Sequence, residues 1–162
     1  MISKVILLYS LISTLHLTHS VDQVPDLLII GKDTLQLKSF PLEQLDFQVR
    51  PFQYGDFFSP GPTCVRGYQA TWKVIDHKLF LWRMAKIDDP QVELDLPRYF
   101  EANHYSPILI NGLIFADWYT VNLSSFPKDI RKCAYLFKTY RVNRDKPVIR
   151  FESGVLRTNR YR

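Results

Sequence analysis

Three carboxylates have the spacing or setting that acid–base chemistry needs. Glu93 and Asp95 stand two positions apart, so in an extended chain they project on one side, about 6.5 to 7 Å apart at the backbone. Two carboxylates at such a separation can share the acid and base roles of glycoside hydrolysis. The structural alternative is that Asp95 caps a helix and Glu93 is a surface residue.

Asp117 is the third carboxylate. In an extended strand it shares one face with apolar residues, namely Leu113, Phe115, Tyr119 and Val121. A carboxylate on a buried face needs a partner or serves a site, and a paired structural acid is the first expectation.

Other catalytic chemistry has little support in the sequence. HExxH, CxxC, GxSxG, GxGxxG and Walker-type motifs are absent, so we expect no metal, cofactor or nucleotide and assign no catalytic residue. His77 is predicted in a turn and His104 after a helix, where solvated or capping roles are usual. A nucleophilic pair of Cys64 and His104 lacks any family signature.

The N-terminus predicts export. Lys4 precedes an apolar run of 13 residues, Val5 to Leu17, and the small residues of Thr18-His19-Ser20 follow. This is the pattern of a cleaved signal peptide, with the mature chain beginning near Val21 in the periplasm or outside the cell. The alternative is a membrane anchor or a buried helix, but 13 helical residues rise only about 20 Å, so we expect no transmembrane segment in the mature chain.

Two cysteines, Cys64 and Cys133, lie 69 positions apart in this exported chain. A disulfide closing that loop would stabilise the fold by about 4 kcal/mol. Two buried thiols are the alternative, because a domain of this size is stable without a cross-link.

Positive charge is concentrated at the C-terminus. Residues 131–162 carry ten Lys and Arg against two acids, whereas residues 21–130 carry ten against 14. Arg150, Arg157, Arg160 and Arg162 could form a patch for an anionic envelope surface. The alternative is a solvated strand face that meets the acidic remainder of the domain. Export argues against a nucleic-acid partner.

In the segments that position these residues, apolar and polar side chains mostly alternate with a period of two residues, which favours β structure. Four hairpins are predicted: Leu27 to Ile30 with Thr34 to Leu37, Val65 to Val74 with Leu79 to Met84, Ile108 to Ile110 with Leu113 to Leu123, and Val148 to Glu152 with Val155 to Asn159. A further strand, Ala134 to Val142, and one short helix from Asp95 to Asn103 complete the set. The fold class is therefore mainly β, an antiparallel sheet of hairpins forming an open barrel or sandwich, as a single domain after residue 20.

Aromatic stripes on the second hairpin are predicted to form the core. Tyr68 and Trp72 share one face of the outgoing strand, and Phe80 and Trp82 share one face of the return strand. Trp118 is expected in the same core. A sugar-stacking platform is the alternative, but aromatic side chains most often bury their large areas.

Part of the sequence resembles a family of uncharacterised bacterial proteins. The similarity lies in LLIIGKDTLQLKSFPL (27–42), CVRGYQATW (64–72) and DHKLFL (76–81). The family has a KGDTL-like turn, a C-x-R-G-Y-x-A-x-W strand and a D-x-x-L-x-L return strand. This chain departs from it in the order Gly-Lys-Asp and in Val65, where an aromatic residue is usual. The resemblance implies a bacterial origin and no particular activity.

These features favour a non-enzymatic binding or interaction protein for an unidentified protein or envelope component. The long loop Leu42 to Pro62, or the basic final hairpin, would form its contact surface. One alternative is a small glycan-acting hydrolase that uses Glu93, Asp95 or Asp117. Another is an immunity or inhibitor protein, which the sequence does not distinguish from the first.

Overall fold

The computed structural model describes residues 23–52, 66–123, 138–140 and 149–158. They form a mainly β fold, in which a curled sheet makes a half-barrel accompanied by the α-helix α1, Leu96–Ala102. The strands are β1 Asp26–Ile30, β2 Asp33–Leu37, β3 Tyr68–Ile75, β4 Lys78–Lys86, β5 Leu109–Ile110, β6 Leu113–Phe115, β7 Val121–Leu123, β8 Ile149–Glu152 and β9 Val155–Thr158. The predicted fold class is confirmed.

All four predicted hairpins are present, and local turn chemistry explains them. In three of them both turn residues have positive φ, as a type I′ turn requires: Asp76-His77, Asn111-Gly112 and Ser153-Gly154. The third hairpin is shorter than predicted. Its strand ends at Phe115 because Tyr119 N bonds to Ala116 O, which turns the chain toward β7.

The sheet is mixed, whereas the sequence predicted a purely antiparallel one. Its order is β2-β1-β3-β4-β9-β8-β7, with β6 also paired to β4 and β5 paired to β6. β1 runs parallel to β3, with Leu28 opposite Trp72. Parallel neighbours need a long crossover connection, and the stretch between β2 and β3 is long enough to provide it.

A β-bulge in β4 overturns the predicted stripe of the return strand. Thr71 pairs with Arg83 and Trp72 pairs with Leu81, so Trp82 is the extra residue. The bulge changes which face each later residue occupies. Trp82 is therefore 47% exposed and is not a core residue.

The other predicted core aromatics are buried to different degrees. Tyr68 and Trp72 belong to the main core, and Trp118 packs partly buried against it. Phe80 is buried as well, but it packs on Phe115, with ring centroids 5.8 Å apart, and not in the stripe with Trp82.

Within the described residues, helical segments occur at three places. Asp95 caps α1, Pro97 lies in its first turn and the helix ends before Asn103, as predicted. The predicted loop from residue 42 to 62 begins inside a 3-10 helix, Pro41–Gln44, and its part beyond Phe52 lies outside the described residues. The predicted strand from residue 134 to 142 is wrong where it is described, because residues 138–139 are helical.

No helix in the described ranges is long and apolar enough to cross a membrane.

Candidate functional site

An apolar cleft of about 730 Å³ opens between α1, the hairpin β5–β6 and the middle of β4. Leu81 and Ile114 lie opposite each other on neighbouring strands and, together with Phe100, form its most buried lining. Small-molecule sites commonly have this volume and this mainly apolar lining, with a few polar groups. The cleft is therefore the candidate functional site.

The helix wall of the cleft is held by its cap and its buried side. Asp95 accepts a hydrogen bond from Arg98 N at 3.3 Å, which satisfies one free donor of the first turn. Tyr99 and Phe100 are buried, and Phe100 also lines the cleft together with Leu96. Burial of these rings fixes the helix against the sheet.

The end of α1 brings polar side chains to the cleft. Asn103 accepts from Val49 N at 2.9 Å and donates from Nδ2 to Tyr99 O at 3.0 Å. His104 then adopts a left-handed backbone, with φ of 53°. This reversal directs the chain so that His104 and Tyr105 both line the cleft.

Trp82 forms part of the β4 wall. Because it is the bulged residue, its indole leaves the core face and lines the cleft. The ammonium of Lys73 lies 4.3 Å from its ring centroid, a cation–π distance. The indole is 47% exposed, so a ligand or partner that covered it would remove apolar area from water.

The hairpin wall is the most open part of the site. Leu109 lines the cleft and is 62% exposed, whereas its neighbour Ile108 is 49% exposed and does not line it. Gly112, at the tight turn, lines the mouth, and a Cβ placed there would meet no atom within 4 Å. The mouth is therefore accessible beside Leu109.

The polar side chains of the lining come from one stretch, residues 101–106. They are Glu101, His104, Tyr105 and Ser106. Burial raises the pKa of Tyr105, and the negative charge of Asp117 raises it further, so this phenol is a hydrogen-bond donor at neutral pH. The cleft is thus polar along one stretch and apolar elsewhere.

The carboxylates predicted for catalysis do not line this cleft. Glu93 pairs with Arg83 at 2.7 Å, and Asp95 is used as the helix cap. Asp117 lies in the turn after β6 and not on a strand face, and its buried Oδ1 accepts no hydrogen bond from the described residues. Glu101 is the carboxylate that lines the cleft, and the sequence analysis did not single it out.

The two described arginines of the basic segment share one carboxylate within their own hairpin. Arg150 and Arg157 are directly opposite across β8 and β9, and both pair with Glu152, at 2.6 and 3.3 Å. The Arg150 contact holds the pKa of Glu152 below its usual value. Arg160 and Arg162 lie outside the described residues, as do Cys64 and Cys133, so the disulfide stays a prediction.

A buried ion pair joins β1 to the start of β3, away from the cleft lining. Arg66 Nη1 donates to Asp26 Oδ1 at 2.9 Å, and Trp72 Nε1 donates to Asp26 Oδ2 at 3.0 Å. The guanidinium also lies 4.0 Å from the centroid of the Phe40 ring. Burial raises the pKa of Asp26 against the attraction of Arg66. Although Arg66 Nε has no hydrogen-bond partner among the described residues, the other contacts of this pair indicate a structural role.

Sequence reasoning missed the cleft because its walls are distant along the chain. One signal could have found Trp82: Leu79 to Trp82 is a run of four apolar residues, followed by Met84 and Ala85, which breaks strict alternation. A strand that breaks period two often contains a bulge. No comparable signal marks Glu101 or Leu109.

No family model, curated protein or solved structure matches this chain. The geometry of the cleft and the chemistry of the residues that line it are therefore the basis for inferring function.

Proposed function

We propose that this chain is an exported, non-enzymatic binding protein that holds a small, mainly apolar ligand in the cleft between α1, β4 and β5–β6. The observation that carries the proposal is the bulged Trp82, which is turned out of the core and into the cleft wall. Bulges next to sites commonly re-aim one side chain in this way.

The volume and openness of the cleft support a small ligand. About 730 Å³ lies within the range of small-molecule sites, which is roughly 300 to 1,000 Å³. Leu109 and Trp82 are the exposed apolar residues that such a ligand would cover. An immunity or inhibitor protein would use a broad protein interface, and it remains a second prediction from the sequence.

A glycan-acting hydrolase has less support. Glycoside hydrolysis usually needs two carboxylates that face one site. Glu93 and Asp95 are engaged in an ion pair and a helix cap, and neither they nor Asp117 lines the cleft. Binding without turnover is therefore the proposal.

An NMR titration of the purified protein with octan-1-ol tests it. We expect saturable shifts of backbone amide signals at cleft residues such as Leu109 and Leu113, because the octyl chain covers apolar lining. Trp82→Ala should weaken binding about tenfold, as the loss of a central aromatic contact does.

Val92→Ala is the matched control. Val92 is 43% exposed, a fraction similar to the 47% of Trp82, and it does not line the cleft, so this variant should bind as the wild type does. Shifts scattered over the surface, or equal binding by Trp82→Ala, would contradict the proposal.

Export is tested separately, by expressing the full chain in bacteria and measuring the mass of the protein recovered from the periplasm and medium. The apolar segment before residue 20 predicts a chain that begins near Val21. Recovery of the protein only from the cytoplasm, with residues 1–20 retained, would contradict export.

A further inference from the structure

We infer that the ligand of this cleft carries a cationic head group, recognised by Glu101, on an apolar body. The inference rests on the proposed function, because it names the chemistry of the ligand held in the same cleft. It follows from the charge of the lining, the position of Glu101 and the distribution of polar groups.

Among the described lining residues, Glu101 is the only one of type Asp, Glu, Lys or Arg, and it supplies a carboxylate. A cationic group placed in this cleft is therefore attracted, and an anionic group is repelled by a charge that no lining cation compensates.

Glu101 has no competing ion pair within the described residues. Glu93 and Glu152 both pair with arginines, whereas Arg98, one turn before Glu101 on α1, forms no such bridge to it. The carboxylate also lies in the last turn of the helix, where negative charge is slightly unfavourable for the helix itself. No ion pair within the described residues uses this carboxylate, so it is available to a cationic group of a ligand.

The remaining lining fits an amphipathic amine. The polar groups all come from residues 101–106, so a head group would lie at that stretch while its chain covers Leu109, Leu113 and Leu81. Tyr105 and Trp82 add aromatic rings, whose faces attract cations.

Lys73 provides the opposing possibility. Its ammonium lies over the Trp82 ring but is not part of the lining. If it reached the ligand, an anionic head group would be preferred, so the test includes that case.

Three ligands that share an eight-carbon chain and differ in head-group charge distinguish a cationic from an anionic preference. They are octylammonium, octan-1-ol and octanoate, each titrated into the purified full-length protein and followed by NMR. We expect octylammonium to bind about five- to tenfold more tightly than octanoate, with octan-1-ol between them, because a partly exposed charge contact has a modest effect in either direction. Added salt should reduce the difference.

Glu101→Gln should bring the three dissociation constants within about twofold of one another. It keeps the shape of an exposed side chain, so the fold is retained. Asp88→Asn is the matched control, since Asp88 is an exposed carboxylate paired with Lys86 outside the cleft, and it should leave the order unchanged.

The outcomes separate the two proposals. If none of the three ligands binds, the proposed function fails and this inference fails with it. If all three bind the wild type equally, the cleft is a binding site but recognition by Glu101 is wrong. Tightest binding of octanoate, lost in Lys73→Met, would likewise overturn the cationic head group and assign recognition to Lys73.

Discussion

Replacing Trp72 with alanine should destabilise the protein severely. Trp72 is fully buried, and its indole N–H donates to Asp26 Oδ2 at 3.0 Å. The cavity left by a buried Trp→Ala change costs about 3 to 5 kcal/mol, and the unsatisfied carboxylate adds about 1 kcal/mol or more. Domains have only about 5 to 15 kcal/mol of unfolding free energy, so the variant should be largely unfolded or melt far below the wild type.

Two matched variants divide this loss into its causes. Trp72→Phe keeps most of the apolar volume and removes the donor to Asp26, so we expect a loss of about 1 to 3 kcal/mol. Trp82→Ala removes an indole that is 47% exposed, so about half of its area is already in water and the loss should be about 1 to 2 kcal/mol.

Urea denaturation followed by circular dichroism measures all three free energies. The expected order of loss is Trp72→Ala first, with Trp72→Phe and Trp82→Ala both much smaller. If Trp82→Ala cost as much as Trp72→Ala, the bulge would be wrongly placed and both indoles would belong to the core, which would refute the reasoning about the cleft wall as well.

Three further predictions concern turns, buried phenols and the basic hairpin. Gly112→Ala should cost about 1 to 2 kcal/mol, since φ is +77° and its surroundings are open, whereas Gly154→Ala should cost about 3 kcal/mol or more, since its Cβ would lie 2.4 Å from Ala116 O. Thermal melts of both variants check this, and equal losses would contradict the packing of the last turn. Burial raises the pKa of Tyr68, Tyr99 and Tyr119, that of Tyr99 to about 12. Unfolded tyrosines ionise near pH 10, so between about pH 10 and 12 the native state binds more protons and the unfolding free energy should fall by at most about 1.4 kcal/mol per pH unit for each tyrosine. Urea titrations from pH 8 to 11.5 measure this, and an unchanged free energy would show that the phenols are accessible. Joint replacement of Arg150 and Arg157 by Gln should change neither the melting temperature nor retention on anionic vesicles appreciably, since both side chains are exposed and paired with Glu152. Loss of vesicle retention at low salt would instead reveal a patch for an anionic surface.

Local sequence signals were sufficient for the hairpins and the helix. Asn111-Gly112 accepts positive φ at both turn positions, and Asp95 with Pro97 is a local signal for the start of a helix. These features depend on residues within a few positions of each other, so no tertiary contact is needed to predict them. The same holds for the buried face of β3, where Tyr68 and Trp72 follow strict alternation.

Only the tertiary structure decided which side Trp82 faces and where a ligand could bind. Pairing of Thr71 with Arg83 and of Trp72 with Leu81 leaves Trp82 as the bulged residue, and that register depends on packing across two strands. The parallel pairing of β1 with β3 and the ion pair of Asp26 with Arg66 join residues about 40 positions apart. The cleft, too, forms because a helix, a hairpin and a strand meet. Contacts of this range have no local signature, because their free energy arises only when the whole sheet has formed.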